Sequence, residues 1–169
     1  MFKVKLLILL LISSFFYSCN TTKINNKISF NLAYIGGEED GLIFSNLLRS
    51  YLTDFGLYDP SSRLVINANI AHERNLYITN VDNTSDREKV TSRMNIEIFD
   101  QLNNCTVFIY ASTENQFYVI TDTVNFISNN MAVEQIKFRN NEALIQKFIH
   151  NIADGETKCI DTDENIDEQ

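Results

Sequence analysis

The sequence predicts a two-layer α+β sandwich, in which an antiparallel four-stranded sheet is covered by two helices in the order β-α-β-β-β-α. Several segments alternate apolar and polar residues with a period of two, and two longer segments carry apolar residues at helical spacing. A sheet that is apolar on one face needs cover on that face only, and two amphipathic helices can supply it. The length of 169 residues suits a single domain.

The first strand and the first helix have clear boundary signals. Residues 28–34 alternate as a strand, and Gly36-Gly37 ends it. Residues 38–55 form the predicted helix, which begins with three acidic residues that favour the positive end of a helix dipole. Gly56 is its candidate C-cap. The apolar stripe of this helix consists of Phe44, Leu47, Leu48, Tyr51, Leu52 and Phe55.

Three more strands and a second helix follow along the chain. The predicted strands are 63–71, with 76–78 as an extension past an irregular stretch, then 89–99, and then 106–112, with a continuation over 117–123 beyond a bulge. Residues 80–86 have the composition of a hairpin loop, and 100–104 of a turn. The last helix is predicted from Met131 to Gly155, with a stripe of Leu144, Ile145, Phe148, Ile149 and Ile152.

The N-terminus has the pattern of an export signal. Lys3 and Lys5 precede the apolar run 6–17, which is too short to span a bilayer but has the length of a signal-peptide core. A small residue, Ser18, stands directly before Cys19, as in a lipoprotein signal. We therefore expect residues 1–18 to be removed and Cys19 to be lipidated, the alternative being an ordinary secretory signal with an incidental cysteine.

The mature chain is predicted to have three parts. Residues 19–27 form a lipidated polar tether, 28–154 the α+β domain, and 155–169 an acidic tail that has too few apolar residues to fold alone. Asn20 stands where aspartate would retain a Gram-negative lipoprotein in the inner membrane. The expected location is therefore the outer membrane, with the lipid-anchored domain on its periplasmic side.

Two cysteines lie within or beside the predicted domain. Cys105 follows a predicted turn and Cys159 lies in the tail. Export would place both in an oxidising compartment, which permits a disulfide between them. The alternatives are two free thiols or a bond to another chain.

The charge distribution limits the partners. The formal net charge is −8, which argues against nucleic acid because phosphate binding needs a basic face. The local cationic cluster, on the second and third strands or in the loop between them, consists of Arg74, Arg87, Lys89 and Arg93. This cluster could meet phosphate groups through charge-assisted hydrogen bonds, or it could be ordinary solvated strand charge. Lys137 and Arg139 form a second small basic group.

No motif in the sequence supports catalysis. The phosphate-binding loop, the nucleophile elbow and the zinc-protease helix are all missing, and His72 and His150 are far apart in sequence. We therefore predict a non-enzymatic protein with no catalytic residue, no metal site and no cofactor.

The assembled pattern resembles the LPS-assembly lipoprotein family (LptE) in its alphaproteobacterial style. A lipoprotein cysteine precedes a helix with the motif NLLRSYL (46–52) and a strand RLVINA (63–68). TSDREKVTSR (84–93) then leads into the third strand, and a Phe/Tyr-rich stretch with QFY (116–118) and NF (125–126) leads into a helix with EAL (142–144). The resemblance covers residues 28–153.

This resemblance implies a role in lipopolysaccharide export. Members of the family assist the assembly of a large outer-membrane β-barrel (LptD), plug its lumen and can bind lipopolysaccharide. By this likeness Arg87 is the first residue to contact lipid A phosphates, with Arg93 and Lys89 behind it. Two alternatives stay open: a free-standing periplasmic binding or inhibitor lipoprotein, and an auxiliary lipoprotein of an envelope transporter.

Overall fold

A computed structural model describes residues 28–78, 86–120, 126–153 and 158–160. The predicted signal peptide, the lipidation site Cys19, the tether up to residue 27, most of the 80–86 loop and most of the tail lie outside these ranges. The elements in chain order are β1 (Asn31–Gly36), α1 (Glu38–Asp54), β2 (Leu64–Ile78), β3 (Asp86–Asp100), β4 (Cys105–Val119) and α2 (Phe126–Ala153). The predicted α+β class and the order β-α-β-β-β-α are confirmed.

The sheet is mixed, so the prediction of a wholly antiparallel sheet is wrong in one pairing. The strand order is β1-β2-β3-β4. β2, β3 and β4 are antiparallel neighbours, whereas β1 runs parallel to β2. The reason is the connection: a hairpin reverses the chain, but α1 carries it back along the sheet, so β2 starts from the same end as β1. Periodicity alone predicts strands and not their directions.

Both helices lie on one face of the sheet, and their predicted stripes form the core, except that Phe55 of the first stripe is 54% exposed. Phe44, Leu48 and Leu52 of α1 are fully buried. The predicted stripe of α2, from Leu144 to Ile152, is buried as well. These side chains pack against Ile66, Ile96 and Ile98 of the sheet. Within the described ranges, neither helix is long and apolar enough to cross a membrane.

The second and fourth strands are longer than predicted. β2 continues without a break through the stretch 72–75, and β4 continues through 113–116. The irregular stretch and the bulge predicted there are therefore wrong. The register shift of the β3–β4 pair lies elsewhere, between Ile98 and Phe99. Polar residues such as Glu73 and Asn75 are uncommon in strands, which is why a break was predicted there. Each of them nevertheless pairs with a residue of β3.

The predicted turn residues have the backbone geometry and hydrogen bonds of turns and helix ends. Gly37 precedes α1 with φ of 118°, and a Cβ added there would lie 2.6 Å from the carbonyl oxygen of Ile70. Gly56 follows α1 with φ of 69°, as expected of a C-terminal glycine. In the β3–β4 turn, the carboxylate of Asp100 accepts a hydrogen bond from the backbone N–H of Leu102 at 2.9 Å.

Candidate functional site

The sheet face opposite the helices has no element packed on it among the described residues, and we call it the open face. The alternation of β3 separates the two faces: Val90, Ser92 and Met94 are buried on the helix side, whereas Arg93, Asn95 and Glu97 are exposed. The open face is therefore where a partner or ligand can reach the sheet.

The structure brings three of the four predicted basic residues together. Arg87, Lys89 and Arg93 all lie on the open face of β3: Arg87 and Lys89 are about 7 Å apart along the strand, and Arg93 is about 14 Å beyond Lys89, with the buried Thr91 between them. We call these three residues the basic strip. They share a face because successive side chains of a strand point to opposite faces, and all three residues are odd-numbered in one unbroken strand.

The contacts of the basic strip are weak or absent among the described residues. Arg93 forms an ion pair with Glu73 on β2, and both side chains are about half exposed. Lys89 Nζ lies 6.0 Å from the ring centroid of Phe117. Arg87 is exposed and has no ion pair within the described ranges. Exposed ion pairs contribute about 0–1 kcal/mol, so an anionic group could replace Glu73 at low cost.

Arg74 does not join the basic strip. It is an even-numbered residue of β2, so its side chain lies on the helix side of the sheet. Its Nε donates to Glu88 Oε1 at 2.5 Å and its Nη2 to Oε2 at 3.0 Å, which is the two-point geometry of a strong pair. Arg74 therefore has a carboxylate partner already and is separated by the sheet from the other three cations.

Tyr118 completes this ion pair. Its hydroxyl donates to Glu88 Oε2 and accepts a hydrogen bond from Arg74 Nη2 at 3.3 Å. The hydrogen bond from Arg74 lowers the pKa of Glu88, and burial raises the pKa of the Tyr118 hydroxyl. Both shifts keep Glu88 ionised and Tyr118 protonated near neutral pH. Sequence reasoning missed Glu88 and Tyr118; the available signal was their even-numbered positions, which place them on the same face of the sheet as Arg74.

A second polar cluster lies beneath α2. Asn140 Nδ2 donates to Ser92 Oγ at 2.8 Å, and His72 Nδ1 lies 2.7 Å from the same oxygen. Burial lowers the pKa of His72, and nearby Lys137 acts in the same direction. Ser92 and Asn140 are fully buried, so a substrate cannot reach them. Sequence reasoning noted Ser92 only as a break in the core pattern and did not predict Asn140.

The second basic group and the two histidines do not extend the open face. Lys137 joins the two helices, with its Nζ 3.3 Å from Asp40 of α1 and 3.2 Å from Glu134. Arg139 and His150 are exposed on α2, on the other side of the sheet. The cations that are close in sequence thus lie in three separate places in the fold: the basic strip, the Arg74–Glu88 pair and the helices.

The structure joins Cys105 and Cys159 in a disulfide. Their Cα atoms are 5.6 Å apart, and the bond links the first residue of β4 to a residue beyond α2. Beside it, the backbone N–H of Ile160 donates to the carbonyl oxygen of Thr106 at 2.8 Å. Residues 158–160 therefore lie along the start of the outer edge of the sheet.

Solved structures that share this fold include three from bacteria. The minor lipoprotein of Acinetobacter baumannii has a TM-score of 0.53 and 15% identity, covering 75% of this chain and 89% of that protein. A candidate lipoprotein of Caulobacter crescentus CB15 has a TM-score of 0.55 and 13% identity, covering 78% and 92%. The rare lipoprotein B of Shewanella oneidensis has a TM-score of 0.50 and 10% identity, covering 75% and 96%. At these identities the likeness shows a fold that bacterial lipoproteins also have.

Comparison by sequence adds no relative: no family and no curated protein matches this chain.

Proposed function

We propose that this chain is an outer-membrane lipoprotein, anchored through Cys19, that assists the assembly of an LptD-type β-barrel and plugs its lumen during lipopolysaccharide transport. The observation that carries the proposal is the shared fold: the α+β domain behind the lipoprotein-type signal has the architecture of solved bacterial lipoproteins. In this role the protein binds and supports its partner and catalyses no reaction.

The surface chemistry supports a lumenal position. A barrel lumen is lined by polar side chains, so a plug needs a stable core and a polar exterior. The core of this domain is continuous from both helices into the sheet. Its open face carries amide side chains, of which Asn67, Asn69 and Asn95 are examples. When such a face enters a barrel, its hydrogen bonds to water can be replaced by hydrogen bonds to the lumen wall.

The basic strip supports contact with lipopolysaccharide. Lipid A carries phosphate groups, and guanidinium groups bind phosphate through two parallel hydrogen bonds. Arg87 and Arg93 lie on one exposed strand face with Lys89 between them. Arg74 is the fourth predicted contact, and its pair with Glu88 would have to break before it could bind. We therefore assign the phosphate contacts of this proposal to the basic strip.

The barrel partner is tested by affinity purification. The full chain with a C-terminal tag is captured from separated outer and inner membranes, each solubilised in detergent, and proteins recovered in equal amount are identified. A single large β-barrel at a one-to-one ratio supports the proposal. Recovery of the chain alone favours a free-standing binding lipoprotein, and recovery from the inner membrane favours an auxiliary subunit of a transporter. Cys19→Ser is the control for the anchor.

The phosphate contact is tested by charge reversal. Arg87→Glu combined with Arg93→Glu should weaken lipopolysaccharide binding by about tenfold or more at physiological salt, because two attractive groups become repulsive. Binding is measured by retention of the solubilised chain on immobilised lipopolysaccharide.

The matched control has the same change in net charge at other exposed sites. Arg49→Glu combined with Arg139→Glu alters both helices and leaves the open face intact. Equal binding by the two double variants would contradict the assignment to the basic strip. Unfolding curves of both variants should match that of the parent protein, since exposed substitutions cost little.

A further inference from the structure

A groove crosses the open face beside the basic strip, with a volume of about 410 Å³. One wall is formed by Tyr34 of β1 and the other by Ile109 of β4. These two strands are the outer strands of the sheet, which places the walls about 14 Å apart at the usual spacing between strands. The floor between them is formed by the side chains of Asn67, Asn69, Asn95 and Glu97.

The three amides on the floor have no hydrogen-bond partner among the described residues. Asn69 and Asn95 are opposite each other in the β2–β3 pairing, and Asn67 is the next residue of the same face on β2. Each amide offers two N–H donors and one carbonyl acceptor. The floor therefore presents donors and acceptors side by side, which suits a ligand whose groups both donate and accept.

The walls are apolar and unusually exposed. Tyr34 is 72% exposed and Ile109 is 63% exposed. Gly36 keeps the corner beside Tyr34 open: a Cβ there would lie 2.7 Å from Asn69 Oδ1 and 3.2 Å from a ring carbon of Tyr34. The groove thus combines an exposed ring, an exposed aliphatic side chain and a polar floor.

The charge of the groove excludes most anionic ligands. No cation lines it within the described ranges, and its one charged group is Glu97. The carboxylate of Glu97 accepts a hydrogen bond from Thr106 Oγ1 at 2.5 Å. The carboxylate of Glu97 would repel an anion in the groove, and no cation in the described lining would offset this repulsion. A neutral polyol would not be repelled.

From this arrangement we infer that the groove binds an uncharged saccharide chain. Sugar hydroxyl groups donate and accept hydrogen bonds, as the three amides require, and the C–H faces of sugar rings pack on aromatic and aliphatic side chains. The inference goes beyond the proposed function and does not rest on it, because it needs neither a barrel partner nor the basic strip, although it uses the same three amides that the proposed function places against a lumen wall.

Binding is tested by nuclear magnetic resonance on the full chain labelled with ¹⁵N, in a detergent without a sugar headgroup. The probes are neutral oligosaccharides of glucose, mannose, galactose and N-acetylglucosamine at millimolar concentration. Saturable shifts are expected at the side-chain amides of Asn67, Asn69 and Asn95. Tyr34→Ala and Asn95→Leu should each weaken binding about tenfold, and Gly36→Ala should weaken it by narrowing the groove.

The controls separate this inference from the proposed function. Asn75→Ala removes an amide from the open face outside the groove and should leave saccharide binding unchanged. Arg87→Glu with Arg93→Glu should change it less than twofold, whatever that variant does to lipopolysaccharide binding. The inference is overturned if no oligosaccharide of the panel shifts the groove amides, or if the shifts persist in both Tyr34→Ala and Asn95→Leu.

Discussion

The three long strands β2, β3 and β4 can be divided across their length into two halves, which differ in the contacts that they make with the helices. The near half consists of residues 64–70, 94–100 and 105–112, and its helix side belongs to one large apolar core. The far half consists of residues 71–78, 86–93 and 113–119. Its apolar contact with α2 is a small cluster of Val90, Val133 and Ile136, flanked by Tyr118.

Polar groups take the place of apolar ones in the far half. On its helix side lie the Arg74–Glu88–Tyr118 group and the buried Ser92, which bonds to Asn140. Hydrogen bonds contribute less net free energy than the burial of large apolar side chains, because water bonds the same groups in the unfolded chain. The comparison indicates that the near half supplies most of the stability, and the lowered pKa of Glu88 predicts that acid weakens the far half.

The largest expected effect comes from the near-half core. Ile98→Ala should lower the free energy of unfolding by about 2–5 kcal/mol, because Ile98 is fully buried and its neighbours cannot fill the cavity. Val90→Ala in the far half should cost about 2 kcal/mol, for the loss of two buried carbons and a smaller cavity. Urea unfolding under oxidising conditions measures both. A Val90→Ala cost greater than that of Ile98→Ala would contradict the ranking of the halves.

The disulfide should have the second largest effect. Cys159→Ser should lower the free energy of unfolding by about 2–4 kcal/mol, because the bond joins residues 54 apart and restricts the unfolded chain. The same urea experiment measures it. Cys105→Ser should cost the same amount, and the double variant should cost no more than either single one. Additive losses would show that the thiols stabilise the fold separately.

The smallest effect is expected from acid and concerns the far half. Arg74 lowers the pKa of Glu88 in the fold, so the pair stabilises the protein above the ordinary glutamate pKa of 4.5. This contribution should be lost as the pH falls below 4.5 through the folded pKa. The loss is on the order of 1 kcal/mol, since the guanidinium is partly exposed.

Amide hydrogen exchange as a function of pH measures this loss strand by strand. In the parent protein, exchange in the 86–93 segment should accelerate relative to the 94–100 segment on acidification, after correction for intrinsic rates. Glu88→Gln should remove the part of that difference that appears below pH 4.5, and Arg74→Gln should reduce it. Protonation of His72, whose pKa is lowered in the fold, contributes from below pH 6.5 in all three proteins. An equal pH response in both segments of the parent protein would contradict the assignment to Glu88.

Alternation predicted the faces of the strands well and their lengths less well. The core face of β3 (Met94, Ile96 and Ile98) was predicted and is buried. The irregular stretch predicted at 72–75 was wrong, and it concealed that Arg74 continues the even-numbered face of β2. Strand propensity reflects packing and pairing more than backbone preference, so polar residues beside a partner strand are easily missed.

The groove and the His72–Ser92–Asn140 cluster could not be predicted from local patterns. Tyr34 and Ile109 are 75 positions apart in the numbering and lie on opposite outer strands, so only the strand order makes them walls of one groove. Ser92 and Asn140 meet because α2 packs across β3. In both cases the distance between residues depends on how elements pack, which periodicity does not contain.

The sequence by itself determined the order of the elements, most of the buried stripe of each helix and the odd-numbered face that Lys89 and Arg93 share. These are local properties, because side-chain direction in a strand or helix follows from the backbone repeat. Arg87 lies two residues before the predicted strand and joins this face because β3 begins at Asp86. Only the tertiary structure decided that β1 runs parallel to β2, that Arg74 pairs with Glu88 on the opposite face, and that Cys159 reaches Cys105. Each of these depends on long-range pairing between segments, whose register and direction are selected by the packing of the whole domain.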